Sequence, residues 1–259
     1  MRRPVLSTTA GWRRALRLFG LAAVVLALSG CASLMTPGPS GNKRDPWENW
    51  NRKVFAFNES LDEAVLKPVA TAYSELVPHP VRLGVDNFFG NVGDAWSAVN
   101  LFLQGRLRTG LNQTLRFAIN STMGFGGFID IAGEAGIERN SEDMGRTFGR
   151  WGTGTGAYIV WPLFGPSSVR DTLAMPFDMM AGPSALVSEA GPKAGVISLR
   201  VINTRANLLQ AGRMLDDIAL DKYTFLRDAY LARRASFEEE SGDDYEVITP
   251  KKDEPQAGP

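Results

Sequence analysis

Apolar residues recur every three or four positions along most of this chain, and few runs alternate with period two. The body is therefore predicted to be mainly helical. Trp47, Trp50, Val54, Phe57, Leu61 and Val65 mark one face of a first amphipathic helix. At its start Asp45 is placed to cap, Pro46 to take the first helical position and Glu48 to complete a capping box. After Pro68 the pattern predicts shorter helices between breakers: one ending at Pro78-His79-Pro80, one from Val81 ending at Gly90-Asn91, and one capped by Asp94 through Leu103. Leu107, Leu111, Leu115 and Ile119, at intervals of four, predict a helix over 106–121. A glycine-aromatic turn follows at 123–130, and Asn140 or Ser141 starts a helix to about Trp151. Ser168, with Asp171 three residues on, starts another, kinked by Pro176. Two later faces carry Leu199, Ile202, Ala206 and Leu209, and then Tyr223, Leu226 and Tyr230.

One stretch departs from this pattern. Gly149, Gly152, Gly154 and Gly156 are interleaved mostly with small polar residues, and Tyr158, Ile159, Val160, Trp161, Leu163 and Phe164 follow around Pro162. The apolar part is too short and too proline-broken for a core helix, so it reads as a loop or short hairpin on a glycine stem. A phosphate-cradling loop would need Lys-Ser/Thr or a spaced G-x-G-x-x-G opening a helix; neither is present. A structural turn and a moving lid over something apolar both remain open.

The first 30 residues read as an export signal. Five arginines precede an apolar run from Phe19 to Leu28, too short to span a bilayer, and Leu28-Ser29-Gly30-Cys31 ends it. Cys31 is the sole cysteine, which excludes an intramolecular disulfide. Small residues before it resemble the lipobox at which bacterial lipoproteins are cut and acylated, so Cys31 is expected to carry diacylglycerol and an N-acyl chain. Residues 31–44 form a lipidated flexible tether, 45–237 a single helical domain, and 238–259 an acidic disordered tail. Trp47, Trp50, Phe55 and Phe57 lie soon after the anchor. They suit either core packing or a helix resting in a membrane interface, where tryptophan is favoured.

Charge and chemistry narrow the function. The chain carries 28 basic and 28 acidic residues; without the signal there are 23 against 28, so nucleic acid is not an expected ligand. His79 is the only histidine and lies between prolines with no partner pattern around it, so it reads as a solvated or turn-packed side chain and argues against a Ser-His-Asp triad or a histidine metal site. The acidic doublets Glu142-Asp143 and Asp216-Asp217 read as helix starts or solvated faces. No enzyme, metal or cofactor is expected.

Short motifs then succeed one another in a telling order: Asp45-Pro46-Trp47-Glu48, Asn51-Arg52, Phe57-Asn58, Pro78-His79-Pro80-Val81-Arg82, Asn87-Phe88, Phe102-Leu103-Gln104-Gly105, Arg116-Phe117, Asn120-Ser121, Gly126-Gly127-Phe128-Ile129-Asp130, Phe148-Gly149 and Gly165-Pro166-Ser167-Ser168-Val169-Arg170-Asp171. Following a lipobox, this succession resembles the MlaA (VacJ) family of outer-membrane lipoproteins, from Asp45 to about Arg233. The resemblance implies an all-helical ring around an amphipathic pore, lying in the inner leaflet of the outer membrane. It implies removal of phospholipids that have strayed into the outer leaflet and their delivery to a periplasmic carrier of the MlaC type. Trimeric porins are the implied companions. Tyr158 to Phe164 would be the hairpin at the pore, with Gly149, Gly152, Gly154 and Gly156 in its hinge. Ala32 after Cys31, in place of the aspartate that often retains lipoproteins at the inner membrane, favours the outer membrane.

Overall fold

The computed structural model describes residues 38–243. The expected signal peptide, Cys31 and the tail beyond 243 lie outside the described residues. The fold is mainly α, as the periodicity predicts.

Helix α1 (Glu48–Leu61) runs through a π-helical turn (Asp62–Leu66) directly into α2 (Lys67–Leu76). Pro68 would clash with the carbonyl four residues back in a regular helix. The wider turn, closed by the Lys67 N–H on the Asp62 carbonyl, lets the helix pass it. The expected cap is not formed. Trp47 holds the cap position without a side-chain bond, while Asp45 is buried and accepts from Asn51 at 2.8 Å, from the Tyr223 hydroxyl and from Arg227. The end of the expected flexible tether is likewise docked: the Ser40 N–H and hydroxyl donate to buried Glu48 at 3.0 and 2.6 Å.

Helix α3 (His79–Leu103) is one element of 25 residues, where two short helices were expected. Asp94, the expected cap, instead holds α4 (Leu107–Thr122) through Arg116 at 3.1 Å and Gln113 at 2.8 Å. It also binds Arg139 at 2.9 Å. Gly90, the expected breaker, is where the Arg139 guanidinium fits: a Cβ there would lie 2.6 Å from it. The helix thus spans the glycine because the groups that would end it are committed to tertiary partners.

A glycine turn leads to α5 (Ile131–Glu134), capped by Asp130, and then α6 (Met144–Arg150), capped by Asp143. Strands β1 (Tyr158–Trp161) and β2 (Gly165–Ser168) pair antiparallel, Tyr158 opposite Ser168 and Trp161 opposite Gly165. Ser168 caps α7 (Val169–Met180), accepting from the Asp171 N–H at 3.1 Å, as expected. A 3₁₀ turn (Pro183–Leu186), α8 (Ala190–Asn207), α9 (Leu209–Ile218) and α10 (Lys222–Asp243) complete the chain. The last helix enters the segment expected to be disordered, because its run of glutamates is compatible with helix.

Polarity is inverted across α4, and much of the enclosed interior is polar. Nine of the twelve largest enclosed side chains are polar or charged, among them Arg116, Arg170, Gln113, Glu48 and Asn51. Leu107, Leu111 and Leu115, the expected stripe of α4, point outward and are 63, 62 and 50% exposed. The opposite face of α4 buries Gly110, Gln113, Arg116 and Asn120. Such a helix places its polar stripe where a soluble protein places its apolar one. No described helix is long and apolar enough to cross a membrane.

Candidate functional site

The apolar stretch after the glycines is a β-hairpin, and two asparagines of α1 hold it. Asn51 donates to the Tyr158 carbonyl at 3.1 Å and accepts from the Val160 N–H at 2.8 Å. Asn58 donates to the Trp161 carbonyl at 3.0 Å and accepts from the Leu163 N–H at 2.9 Å. The two are seven residues apart, two helical turns, so they share one face and read successive positions of the strand edge. An amide side chain has both a donor and an acceptor, which lets it mimic a missing strand.

Tyr158 and Val160, expected in the exposed tip, are in the core with Val54, Tyr223 and Leu231. The strand places alternate residues on opposite sides, and these two face α1 and α10. Ile159 and Trp161 are half-buried, and the Trp161 indole donates to Thr172 at 2.9 Å. The projecting tip is narrower than expected: Leu163 is 71% and Phe164 60% exposed. Leu163 has φ 69°, a left-handed conformation that an L side chain rarely takes, and Asn58 holds its N–H.

The glycine stem divides in two. Gly149 lies in α6, where a Cβ would sit 2.7 Å from the buried Arg170 guanidinium; at Gly156 (φ 72°) it would sit 3.1 Å from Val169. These glycines permit close packing. Gly152 (φ 95°) and Gly154 have open space around them. Between them and the hairpin, the Thr155 and Ala157 carbonyls accept from the Arg170 and Val169 N–H groups at 3.3 and 3.0 Å. Gly152 and Thr153 close α6, their N–H groups donating to the Gly149 and Phe148 carbonyls at 2.9 Å, so the freedom of the stem is concentrated at Gly154.

Arg170 and Asp171 anchor its far end. Arg170 reaches the Thr153 carbonyl at 3.4 Å, and Asp171 accepts from Arg234 at 2.8 Å and from the Tyr230 hydroxyl. Burial and the Asp171 charge push the Tyr230 hydroxyl up to about 12, so it remains a donor at neutral pH. The candidate interface residues also divide. Trp50 and Phe55 pack against the apolar core, Trp47 is half-buried, and Phe57 is 54% exposed.

Asn51, Asn58, Arg170 and Asp171 stand inside motifs visible in the sequence, but their roles were not legible there. The available signal was the pair of asparagines at helical spacing in a helix interior, where this residue type is otherwise disfavoured. Among the described residues no cluster of His, Cys, Asp and Glu is arranged to hold a metal.

A family model for the MlaA lipoprotein matches residues 43–237. The intermembrane phospholipid transport system lipoprotein MlaA of Escherichia coli K12 is 37% identical over 224 residues, 84% of this chain and 87% of that one. Its namesake in Haemophilus influenzae is 30% identical over 217 residues, 79% and 83% of the two chains. A solved structure reported under "Structural basis for maintenance of bacterial outer membrane lipid asymmetry" matches with a TM-score of 0.66 at 35% identity, covering 75% of this chain and 98% of that one.

Proposed function

The chain belongs to the MlaA lipoprotein family, and from that premise we propose that it withdraws misplaced phospholipids from the outer leaflet of the outer membrane, so maintaining lipid asymmetry. The observation that carries this is the inverted polarity. Leucines 107, 111 and 115 face outward while Arg116 and Gln113 of the same helix are enclosed. In water that arrangement exposes apolar surface at a cost of about 25 cal/mol per Å². In a hydrocarbon leaflet the same surface is solvated, and nearly all of the polar groups inside are satisfied by one another, the Asn91 Oδ1 excepted.

Residues 1–30 act as a lipoprotein signal, and Cys31 carries the acyl chains that hold the protein at the periplasmic face of the outer membrane. A chain embedded in one leaflet needs no spanning helix. The helices of the domain at 45–237 enclose a path that is polar for the headgroup and apolar for the tails, since a bare charge in hydrocarbon is costly. The hairpin is its gate: Leu163 and Phe164 form the moving tip, and Gly154 provides the hinge, with Gly152 closing α6 before it and Gly149 and Gly156 packing its ends. Phe57 faces the membrane interface. The lipid passes to a soluble periplasmic carrier of the MlaC type, and trimeric porins hold the protein in place. Transport of this kind requires no catalytic residue, metal or cofactor.

The test is the amount of phospholipid in the outer leaflet of cells lacking the gene, complemented with wild type or with Cys31→Ala. Accumulation reversed only by the anchored protein is expected. Unchanged asymmetry together with altered porin assembly would instead make the chain a structural lipoprotein.

A further inference from the structure

Against the hairpin lies a pocket of about 230 Å³. Its apolar lining comes from four elements: Phe55 of α1, Val160 and Pro166 of the hairpin, Leu215 of α9 and Leu226 of α10. Val160 is buried, and Phe55, Leu215 and Leu226 are half-buried. A cavity of ~150 Å³ lined by such side chains accepts a benzene ring, so this one has room for a short run of methylene groups.

Charged residues of both signs also line it. Asp62 and Arg205 form a two-pronged pair at 2.6 and 2.7 Å. Lys222 bridges Glu59 at 3.1 Å and Asp216 at 2.6 Å. Glu63 and Lys67 are different: neither forms an ion pair with another described residue. In a regular helix, a glutamate four residues before a lysine is a favourable pair. Here the π turn at Asp62–Leu66 widens the helix between them, so that positions five apart align rather than four, and the pair does not form. Four acids and three bases line the pocket altogether, close to neutrality.

We propose that this pocket is a phospholipid site selective for a zwitterionic headgroup. A stretch of acyl chain lies along Phe55, Leu215 and Leu226, with the headgroup phosphate toward Lys67 and its ammonium toward Glu63. The site rests on the transport reading above and adds to it a place of capture and a lipid preference. The Lys67 charge acts on Asp216 without pairing with it. The near-neutral set thus holds one cation and one anion outside ion pairs, which matches a phosphate and an amine on the same ligand and gives no advantage to a net anionic lipid. One wall of the pocket, the paired residues Val160 and Pro166, belongs to the hairpin, so displacement of the hairpin widens it.

The experiment uses the purified full-length lipoprotein and a phosphatidylethanolamine carrying a diazirine on one acyl chain, with phosphatidylglycerol bearing the same chain for comparison. Photolabel is expected on the peptides containing Phe55, Leu215 and Leu226, several-fold stronger with phosphatidylethanolamine. Leu226→Trp, which fills the pocket, should remove that label. Glu63→Lys should move the preference toward phosphatidylglycerol. Label confined to outward residues such as Leu107 and Leu111, or equal labelling by the two lipids in the wild type, would overturn the proposal. Outer-leaflet phospholipid in the deletion strain separates the two levels. Intact asymmetry there overturns the transport reading, whereas the position of the label decides the pocket.

Discussion

Asn58 clasps the hairpin turn on both sides, donating to the Trp161 carbonyl at 3.0 Å and accepting from the Leu163 N–H at 2.9 Å. A single side chain thus fixes the last strand residue and the left-handed residue of the turn. Asn58→Ala removes both bonds, worth about 1–3 kcal/mol together. Amide hydrogen exchange over 159–164 is expected to accelerate, with no comparable change in α3 or α4. Equal protection in mutant and wild type would show that the turn holds itself.

The stem glycines should separate by substitution. A Cβ at Gly149 meets the Arg170 guanidinium at 2.7 Å, whereas one at Gly154 meets nothing within 4 Å. Gly149→Ala is therefore expected to lower stability by about 1–3 kcal/mol through overpacking. Gly154→Pro should leave the melting temperature close to wild type and reduce transport, because it fixes φ at the freest point of the hinge. Normal lipid asymmetry with Gly154→Pro, at normal protein level, would argue against a moving gate.

Arg116 is 2% exposed and serves Asp94, Asp130 and the Ile137 carbonyl together. Arg116→Met leaves Asp94 enclosed with one fewer cation. Breaking a buried pair on one side costs about 3–5 kcal/mol. The expected result is a large loss in denaturant midpoint, partly recovered in Arg116→Met combined with Asp94→Asn.

The outward leucines can be tested apart from folding. Leu111 is 62% exposed, so Leu111→Lys removes no core contact of consequence. The helical circular dichroism should be unchanged. A lysine at hydrocarbon depth costs up to about 3 kcal/mol, so vesicle flotation of a Cys31→Ala background should fall clearly. Flotation equal to the leucine parent would place this face outside the membrane.

The join between α1 and α10 should depend on acid. Hydrogen bonding to the Arg52 guanidinium, 2.7 Å away, holds the Asp221 carboxyl well below the usual carboxylate range. A folded-state value below the unfolded value means that the unfolded chain binds more protons on acidification. The contribution is therefore complete above about pH 4, the unfolded value, and is lost as pH falls through the folded one. The pair is partly exposed, so the stability gap between wild type and Asp221→Asn should be at most about 1 kcal/mol at pH 7. It should close on titration toward pH 2.

The sequence by itself determined the helical class, the cap at Ser168, the glycine-aromatic turn and a non-helical apolar segment after the stem, whose pairing as a hairpin the tertiary structure decided. All of these follow from signals that act within a few residues: periodicity, capping oxygens and backbone freedom. It did not determine which face of each helix turns inward. The spacing of Leu107, Leu111 and Leu115 is the same whether that stripe meets a core or a lipid, and only the tertiary placement of Gln113 and Arg116 against Asp94 decided it. Asp45 and Asp94 were equally ambiguous, since a carboxylate before a helical run can cap it or pair with a distant cation. Their partners lie far along the chain, Tyr223 and Arg227 for Asp45, Arg116 and Arg139 for Asp94. The free energy of burying a charge resides in those long-range pairs, so local pattern carries no record of it.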